Sequence, residues 1–173
     1  RRSKNEKGWC GAGALPKVAR AALHYWEEPC ISGETGSGTV FFSGCTLRCR
    51  FCQNRAISRG EAGVEVSLSR LADIFLELQA KGALNINLVT PMHYAPQIMT
   101  ALDDARARGL SLPIVWNTGG WERAESVALV KNYADVWLTD LKYADDGLAR
   151  RFSGAPDYFE QAAAALDEMV RET

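Results

Sequence analysis

Short β-branched or aromatic segments alternate with amphipathic segments over most of this chain, and this alternation is the strongest constraint on its fold. It predicts four strands, at 39–43, 85–90, 113–117 and 134–140. Each strand is followed by a predicted helix, at 67–81, 96–108, 122–132 and 157–171. Strands that alternate with helices indicate a parallel sheet covered by helices, with successive strands side by side. Because about four βα units are too few to close a barrel, we expect an α/β fold in the form of a partial (β/α) barrel with open sheet edges.

Residues 1–38 differ from the rest, since they are rich in glycine and irregular apart from one short segment. A helix from Pro16 to Trp26 is predicted there, because proline suits a first helical turn and the apolar residues that follow can share one face. The chain begins at Arg1 in a polar stretch without a methionine, and its last predicted helix reaches the final residue. We therefore expect an N-terminal extension over 1–38 and a partial barrel over 39–173, each truncated at its outer end.

The composition argues against two kinds of partner. With 20 Lys and Arg against 21 Asp and Glu, the chain has no basic excess of the kind that binds nucleic acid. No apolar run is long enough to span a bilayer and no leading segment resembles a secretory signal, so no membrane association is expected. Five cysteines, three of them crowded together, are more typical of a cytosolic metal site than of disulfides. The predicted location is therefore the cytoplasm.

Cys45, Cys49 and Cys52 lie just after the first predicted strand and form the pattern CxxxCxxC. Thiolates are soft ligands suited to iron–sulfur clusters, copper(I) or zinc. A cubane iron–sulfur cluster ordinarily takes four cysteines, so three in one loop can bind three irons and leave the fourth open. An open metal position is what metal catalysis requires, because substrate can coordinate there.

Two other interpretations of these cysteines stay open on spacing alone. The three could form most of a structural zinc site. Candidates for its fourth ligand are Cys10, Cys30, His24 and His93. Alternatively, Cys49 and Cys52 could form a CxxC redox pair, although such pairs usually begin a helix in a thioredoxin-like βαβ pattern.

The cysteine motif, with the aromatic Phe51 before its last cysteine and a barrel strand before its first, resembles the radical S-adenosylmethionine superfamily. More narrowly, VARAALHYWEEPCISGETGSGTVFFSGCTLRCRFCQNRAIS is similar to the branch related to pyruvate formate-lyase activating enzymes. The similarity continues through NLVTPMHYAPQI, WNTGGWE and DVWLTDLKY, so it covers most of the chain. One departure stands out. Many activating enzymes have Gly-Gly-Glu after the second strand, where this chain has Leu-Val-Thr-Pro-Met-His.

The resemblance implies a radical S-adenosylmethionine oxidoreductase with two cofactors, a [4Fe–4S] cluster and S-adenosylmethionine. In that chemistry the fourth iron is chelated by the amino and carboxylate groups of S-adenosylmethionine. One electron from the reduced cluster cleaves the sulfonium to methionine and a 5′-deoxyadenosyl radical, which removes a hydrogen atom from a substrate. In the activating enzymes the substrate is a glycine Cα of a partner glycyl-radical enzyme. The implied partners are an electron donor similar to flavodoxin or ferredoxin and a protein substrate.

The resemblance also implies cofactor contacts at the carboxyl ends of the predicted strands, where βα barrels carry their chemistry. Asp140 and Lys142 point the same way in an extended segment and, as a DxK pair, would hold the methionyl group; a surface ion pair is the alternative. Asn117 and Thr118 would bind the ribose hydroxyls, although Asn-Thr-Gly-Gly also suits a plain turn. Phe51 would present its backbone to the adenine, or simply pack the cluster loop.

Thr90 and His93, after the second predicted strand, are further candidates. Thr90, through its carbonyl or hydroxyl, would take the place of Gly-Gly-Glu in holding the methionyl amino group. His93 would shuttle a proton or touch substrate, or else serve a structural role. The alternative to an enzyme is a non-enzymatic zinc- or cluster-binding module.

Overall fold

Six strands lie in one sheet in the computed structural model, which describes residues 8–171. The first seven residues of the expected extension therefore lie outside the described residues. The strands are β1 (Lys17–His24), β2 (Ser37–Phe42), β3 (Val64–Glu65), β4 (Ile86–Val89), β5 (Ile114–Thr118) and β6 (Val136–Thr139). The helices are α1 (Pro29–Ser32), α2 (Arg55–Ser58), α3 (Leu68–Ala80), α4 (Ala95–Ala107), α5 (Ala124–Val130), α6 (Asp146–Ser153) and α7 (Tyr158–Arg171), with a 3-10 turn at Met92–Tyr94 before α4.

The parallel part of the sheet confirms the four predicted strands. The sheet order is β3-β1-β2-β4-β5-β6, and the last four strands run parallel to one another. Val40, Leu88, Trp116 and Trp137 lie side by side across them. The first three of these residues are fully buried, as expected for parallel strands covered by helices. The chain thus has a mixed α/β fold with a mostly parallel sheet.

The helix predicted from Pro16 to Trp26 is wrong, because Lys17–His24 forms strand β1. This strand pairs antiparallel with β2, with Val18 opposite Phe42. The alanine-rich segment has the composition of a helix, but pairing satisfies its backbone groups and covers the edge of the parallel sheet. Strand pairing thus overrides local propensity, and the extension contributes a strand to the sheet. The boundary at residue 38 stays a prediction.

Helices α3 and α4 pack on each other and on the sheet, and both match predicted amphipathic segments. The Ser67 hydroxyl begins α3 as expected, accepting a hydrogen bond from the Arg70 N–H at 3.1 Å. Fully buried residues of this main core include Leu71, Phe75, Ile98, Leu102 and Trp116. No helix within residues 8–171 is both long enough and apolar enough to cross a membrane.

A second, smaller apolar cluster forms where α6 and α7 meet the loop after β2. The segment DDGLARRF, for which the sequence predicted no element, lies almost entirely in α6. The Asp145 carboxylate caps this helix by accepting from the Leu148 N–H at 2.7 Å, and Gly154 ends it in the left-handed conformation. Helix α7 confirms the last predicted helix. The cluster consists of Leu47, Ala149, Ala155, Tyr158 and Ala162, with Cys45 and Cys49 packed against it.

We expect Gly120→Ala to destabilise the fold by roughly 3 kcal/mol, and Gly82→Ala by only about 1 kcal/mol. Both glycines have a φ of +82°, so the backbone strain is matched. A Cβ at Gly82 would meet nothing within 4 Å, whereas one at Gly120 would lie 2.1 Å from the Asp140 carbonyl oxygen. Urea denaturation of the two variants measures the difference. Equal losses would contradict the close approach of the segments that follow β5 and β6.

Candidate metal centre and cofactor cavity

A cavity of about 500 Å³ opens at the carboxyl ends of the parallel strands, beside the cysteine loop. Its wall includes the loop after β2 and residues at the ends of β4, β5 and β6. The three loop cysteines and the six residues that the resemblance assigned to the cofactor all line it: Cys45, Cys49, Phe51, Cys52, Thr90, Asn117, Thr118, Asp140 and Lys142. The structure brings these residues to one place, and the role of each stays a prediction.

The cysteine loop takes its shape from the end of α6. The backbone N–H groups of Arg48 and Arg50 donate to the carbonyl oxygens of Ser153 and Phe152, each at 2.8 Å. The Arg48 guanidinium also donates to the Cys45 carbonyl oxygen, at 2.9 Å. These bonds fix the backbone between the first and last cysteines, which places all three residues on the cavity wall.

The residues that precede Cys45 are held by contacts with His93 and Cys10. The buried His93 places Nε2 3.0 Å from the Ser43 carbonyl oxygen. Because a carbonyl only accepts, Nε2 carries the hydrogen. Gly44, with a φ of +90°, lies so close to Cys10 that a Cβ would stand 2.7 Å from the Cys10 carbonyl oxygen. His93 therefore anchors the backbone just before Cys45, which is the structural role among those the sequence allowed.

The thiols suit an iron–sulfur cluster in number and chemical type. Within residues 8–171, no three His, Cys, Asp or Glu side chains converge on the position of one ion. A zinc ion needs such convergence, because its ligand atoms all lie about 2.0–2.3 Å from it. A cubane cluster does not, since each cysteine binds a different iron. Of the extra zinc ligands considered, His24 lines this cavity, whereas Cys30 is exposed on α1 and Cys10 and His93 do not line the cavity.

Burial raises the pKa of the Cys45 thiol to about 11, although the Leu47 backbone N–H lowers it in part. The neighbouring Cys49, Glu122 and Cys52 raise the pKa of this thiol further. Metal binding requires the thiolate, so iron that binds at Cys45 displaces its proton. The buried end of the loop thus favours a neutral thiol until a metal takes the place of the proton.

Thr90, at the end of β4, has a strained backbone. Its φ of 56° is the only left-handed value for a residue other than glycine in the described part of the chain, and β-branched residues rarely adopt it. The Thr90 N–H donates to the Asn117 carbonyl oxygen at 2.9 Å, which ties the ends of β4 and β5 together. Backbone strain of this kind concentrates at functional sites. Here it falls where the sequence predicts the substitute for Gly-Gly-Glu.

Asn117 and Thr118 end β5 in different surroundings. Thr118 is buried; its hydroxyl donates to the Glu122 carboxyl at 3.1 Å and accepts from the Gly120 N–H at 3.0 Å. The Thr118 hydroxyl thus already has a donor and an acceptor within the protein. Asn117 is only partly buried and lines the cavity. Of the two residues predicted to contact ribose, Asn117 therefore has the more available side chain.

Asp140 and Lys142 line the cavity wall as an ion pair with each other. The Asp140 side chain is 55% exposed and that of Lys142 25%. The buried Tyr158 of α7 holds the backbone around them, because its hydroxyl accepts from the Lys142 N–H at 2.9 Å and donates to the Gly119 carbonyl oxygen at 2.8 Å. The ion pair that the sequence left as an alternative is therefore present, and it lies within the cavity.

Sequence reasoning missed four residues around the cavity: Tyr143, Ser153, Tyr158 and Glu122. Ser153 contacts Cys49 from more than 100 positions along the chain, and no motif marks it. Tyr143 packs edge-on against the exposed ring of Phe51, with centroids 6.4 Å apart. The amphipathic pattern of DDGLARRF was the one usable signal, since it could have placed a helix next to the loop.

Comparison with known proteins gives two matches. A sequence profile described as the Radical SAM superfamily matches residues 39–172. The uncharacterized protein MJ0674 of Methanocaldococcus jannaschii is 28% identical over 145 residues, which cover 80% of this chain and 41% of that protein. The chain therefore spans about two fifths of the length of this relative.

We expect Glu122→Gln to reduce the pH dependence of stability. Burial raises the pKa of the Glu122 carboxyl from its ordinary 4.5 to about 7, and the Thr118 hydrogen bond opposes this rise. Between these values the folded state holds more protons than the unfolded state, so stability falls as pH rises through this range. Glutamine keeps the acceptor for Thr118 but cannot ionise. The variant should therefore gain stability relative to the wild type between about pH 5 and pH 8, on the order of 2 kcal/mol.

Chemical denaturation at both ends of this pH range measures that gain. Glu125→Gln, at an exposed glutamate of α5, is the matched control and should show no such trend. A stability difference between Glu122→Gln and the wild type that stays constant with pH would refute the account of this carboxyl.

Proposed function

Because the chain belongs to the radical SAM superfamily, we propose that it is an oxidoreductase whose cavity holds a [4Fe–4S] cluster and S-adenosylmethionine side by side. Members of this superfamily use both cofactors. The observation that carries the proposal is that the three cysteines and the six other candidate residues line one cavity. When bound, the two cofactors supply reductive cleavage of the sulfonium, giving a 5′-deoxyadenosyl radical that removes a hydrogen atom from a substrate.

The cysteine loop holds the cluster in this proposal. Cys45, Cys49 and Cys52 each bind one iron, and no protein ligand is assigned to the fourth. The loop backbone is already fixed by its bonds to α6, so little conformational freedom is lost when the metal binds. Leu47, buried between the first two cysteines, keeps water from that side of the loop.

Asp140 and Lys142 bind the methionyl group in this proposal. The methionyl group is a zwitterion, with one ammonium and one carboxylate. Asp140 can pair with the ammonium and Lys142 with the carboxylate. Every charge then stays neutralised when these two ion pairs replace the one between Asp140 and Lys142. The exposed position of the internal pair means that it contributes little stability by itself. The backbone carbonyl of the strained Thr90, which follows β4 and is separated from this pair by β5, would accept from the methionyl amino group.

The nucleoside end of S-adenosylmethionine is assigned to Asn117 and Phe51. The Asn117 side-chain amide can both donate to and accept from ribose hydroxyls. Phe51 lies on the rim of the cavity, where its backbone can face the adenine edge. Thr118 shapes the turn beside them through its bonds to Glu122 and Gly120.

An electron donor similar to flavodoxin or ferredoxin is the proposed partner. Exposed Arg50, Arg150 and Arg151 lie around the joint between the cysteine loop and α6. A cationic surface beside the cluster attracts an acidic donor and speeds their encounter. A glycine of a partner glycyl-radical enzyme is the proposed source of the hydrogen atom, and the sequence resemblance around the cysteines is its support.

We also propose that the sheet belongs to a partial (β/α) barrel and that the protein is located in the cytoplasm. The side-by-side order of β2, β4, β5 and β6 supports a partial (β/α) barrel. Five free cysteines suit a reducing compartment, which supports the cytoplasm.

We expect Cys49→Ala to abolish the formation of 5′-deoxyadenosine, because one iron loses its protein ligand. After anaerobic reconstitution, the wild type should contain four irons per cluster and release 5′-deoxyadenosine when S-adenosylmethionine and a reductant are added. Cys30→Ala removes an exposed thiol outside the cavity and should act like the wild type. Full turnover by Cys49→Ala would refute the assignment. Bound zinc with no uptake of iron would indicate the non-enzymatic module instead.

We expect Lys142→Gln to weaken S-adenosylmethionine binding by roughly ten- to a hundredfold, since a charge-assisted hydrogen bond contributes about 1.5–3 kcal/mol. Titration of the reconstituted protein, followed by the change in the cluster spectrum, gives the dissociation constant. Lys81→Gln, at an exposed lysine after α3, is the control for the loss of one positive charge. Equal affinities for both variants would contradict the methionyl assignment.

A further inference from the structure

One cysteine of the loop receives a hydrogen bond from a side chain that is distant in sequence. The Ser153 Oγ lies 2.9 Å from the Cys49 Sγ and donates to it. Ser153 is the last residue of α6 and is fully buried. In the described part of the chain, Cys49 alone of the three loop cysteines accepts a hydrogen bond from a side chain. The environments of the three thiols are therefore unequal.

Tyr143 extends this contact into a relay. Its hydroxyl oxygen lies 2.7 Å from the Ser153 Oγ. A serine hydroxyl has one proton, and an iron-bound Cys49 sulfur has none, so with iron bound the serine proton is directed to the sulfur. Tyr143 is then the donor in its bond to Ser153, and the chain runs from Tyr143 through Ser153 to sulfur. Hydrogen bonds in such a chain polarise one another, which strengthens the donation to the sulfur.

The backbone holds Ser153 in this place. Its carbonyl oxygen accepts from the Arg48 N–H, next in sequence to Cys49, at 2.8 Å. The edge-on packing of Tyr143 against Tyr158, with ring centroids 5.3 Å apart, fixes the outer end of the relay. These contacts hold the backbone of Ser153 and the ring of Tyr143 next to the cysteine loop.

We propose that Ser153 and Tyr143 are positioning residues that raise the reduction potential of the cluster through Cys49. This inference rests on the proposed function, since it requires that Cys49 bind iron. Reduction adds negative charge to the cluster and its sulfur ligands, and a donor aimed at one sulfur stabilises the reduced form more than the oxidised form. Hydrogen bonds to the sulfurs are among the factors that set the potential of iron–sulfur clusters. The relay eases electron transfer into the site without touching the substrate.

The test is a redox titration of the reconstituted protein without S-adenosylmethionine, so that no turnover is needed. Ser153→Ala should load the cluster and show a more negative midpoint potential than the wild type. Tyr143→Phe keeps the serine and should shift the potential in the same direction, but by less. Ser37→Ala removes a buried serine that bonds to Asn85 rather than to a cysteine, and should leave the potential unchanged.

A second readout is the resonance Raman stretch between iron and cysteine sulfur, which should move in Ser153→Ala and not in Ser37→Ala. A loaded cluster with an unchanged potential in Ser153→Ala overturns the relay but leaves the proposed function standing. If Ser153→Ala fails to fold, Tyr143→Phe decides the question. A cluster potential in Tyr143→Phe equal to that of the wild type then overturns the relay. Failure of the wild type to take up any cluster overturns the proposed function, and the relay with it.

Discussion

The two backbone hydrogen bonds that join Arg48 and Arg50 to the end of α6 determine the shape of the cysteine loop. The loop has no regular secondary structure between β2 and the short helix α2, so it cannot hold its own conformation. Leu47 adds to these bonds by packing into the α6–α7 cluster, which contributes roughly 2 kcal/mol for one buried leucine. In the proposed function, a loop backbone that is fixed before metal binds reduces the entropy lost on binding.

The same pair of helices also supports the side of the cavity that is proposed to bind S-adenosylmethionine. Tyr158, at the start of α7, bonds to the backbone after β5 and after β6, and its ring packs against Tyr143 near Cys49. The proposed metal ligands and cofactor contacts are thus held by one structural unit. The cavity also separates two kinds of group. Cys45, whose pKa is raised by burial, favours its neutral form, while Asp140 and Lys142 form an ion pair at the exposed side.

The sequence predicted the cysteine loop after β2 and the ends of the parallel strands because both signals are local. A CxxxCxxC pattern and a run of β-branched residues can be recognised without knowing what lies nearby. Strand β1 was missed because its pairing with β2, and not its own alanine-rich composition, decides its structure. Ser153 was missed for a related reason, since its role depends on a contact with Cys49 across the chain. The sequence also did not predict that the Thr118 hydroxyl is hydrogen-bonded to Glu122 and Gly120 within the turn after β5.

The central claim is that the loop binds three irons of a cubane and leaves the fourth to S-adenosylmethionine. Mössbauer spectra of protein reconstituted with isotopically enriched iron, recorded with and without S-adenosylmethionine, test it most directly. We expect one iron site of the four to change its isomer shift when S-adenosylmethionine is added, while the other three stay as they were. Spectra in which no iron site responds to S-adenosylmethionine, or in which no cubane cluster forms, would contradict the account.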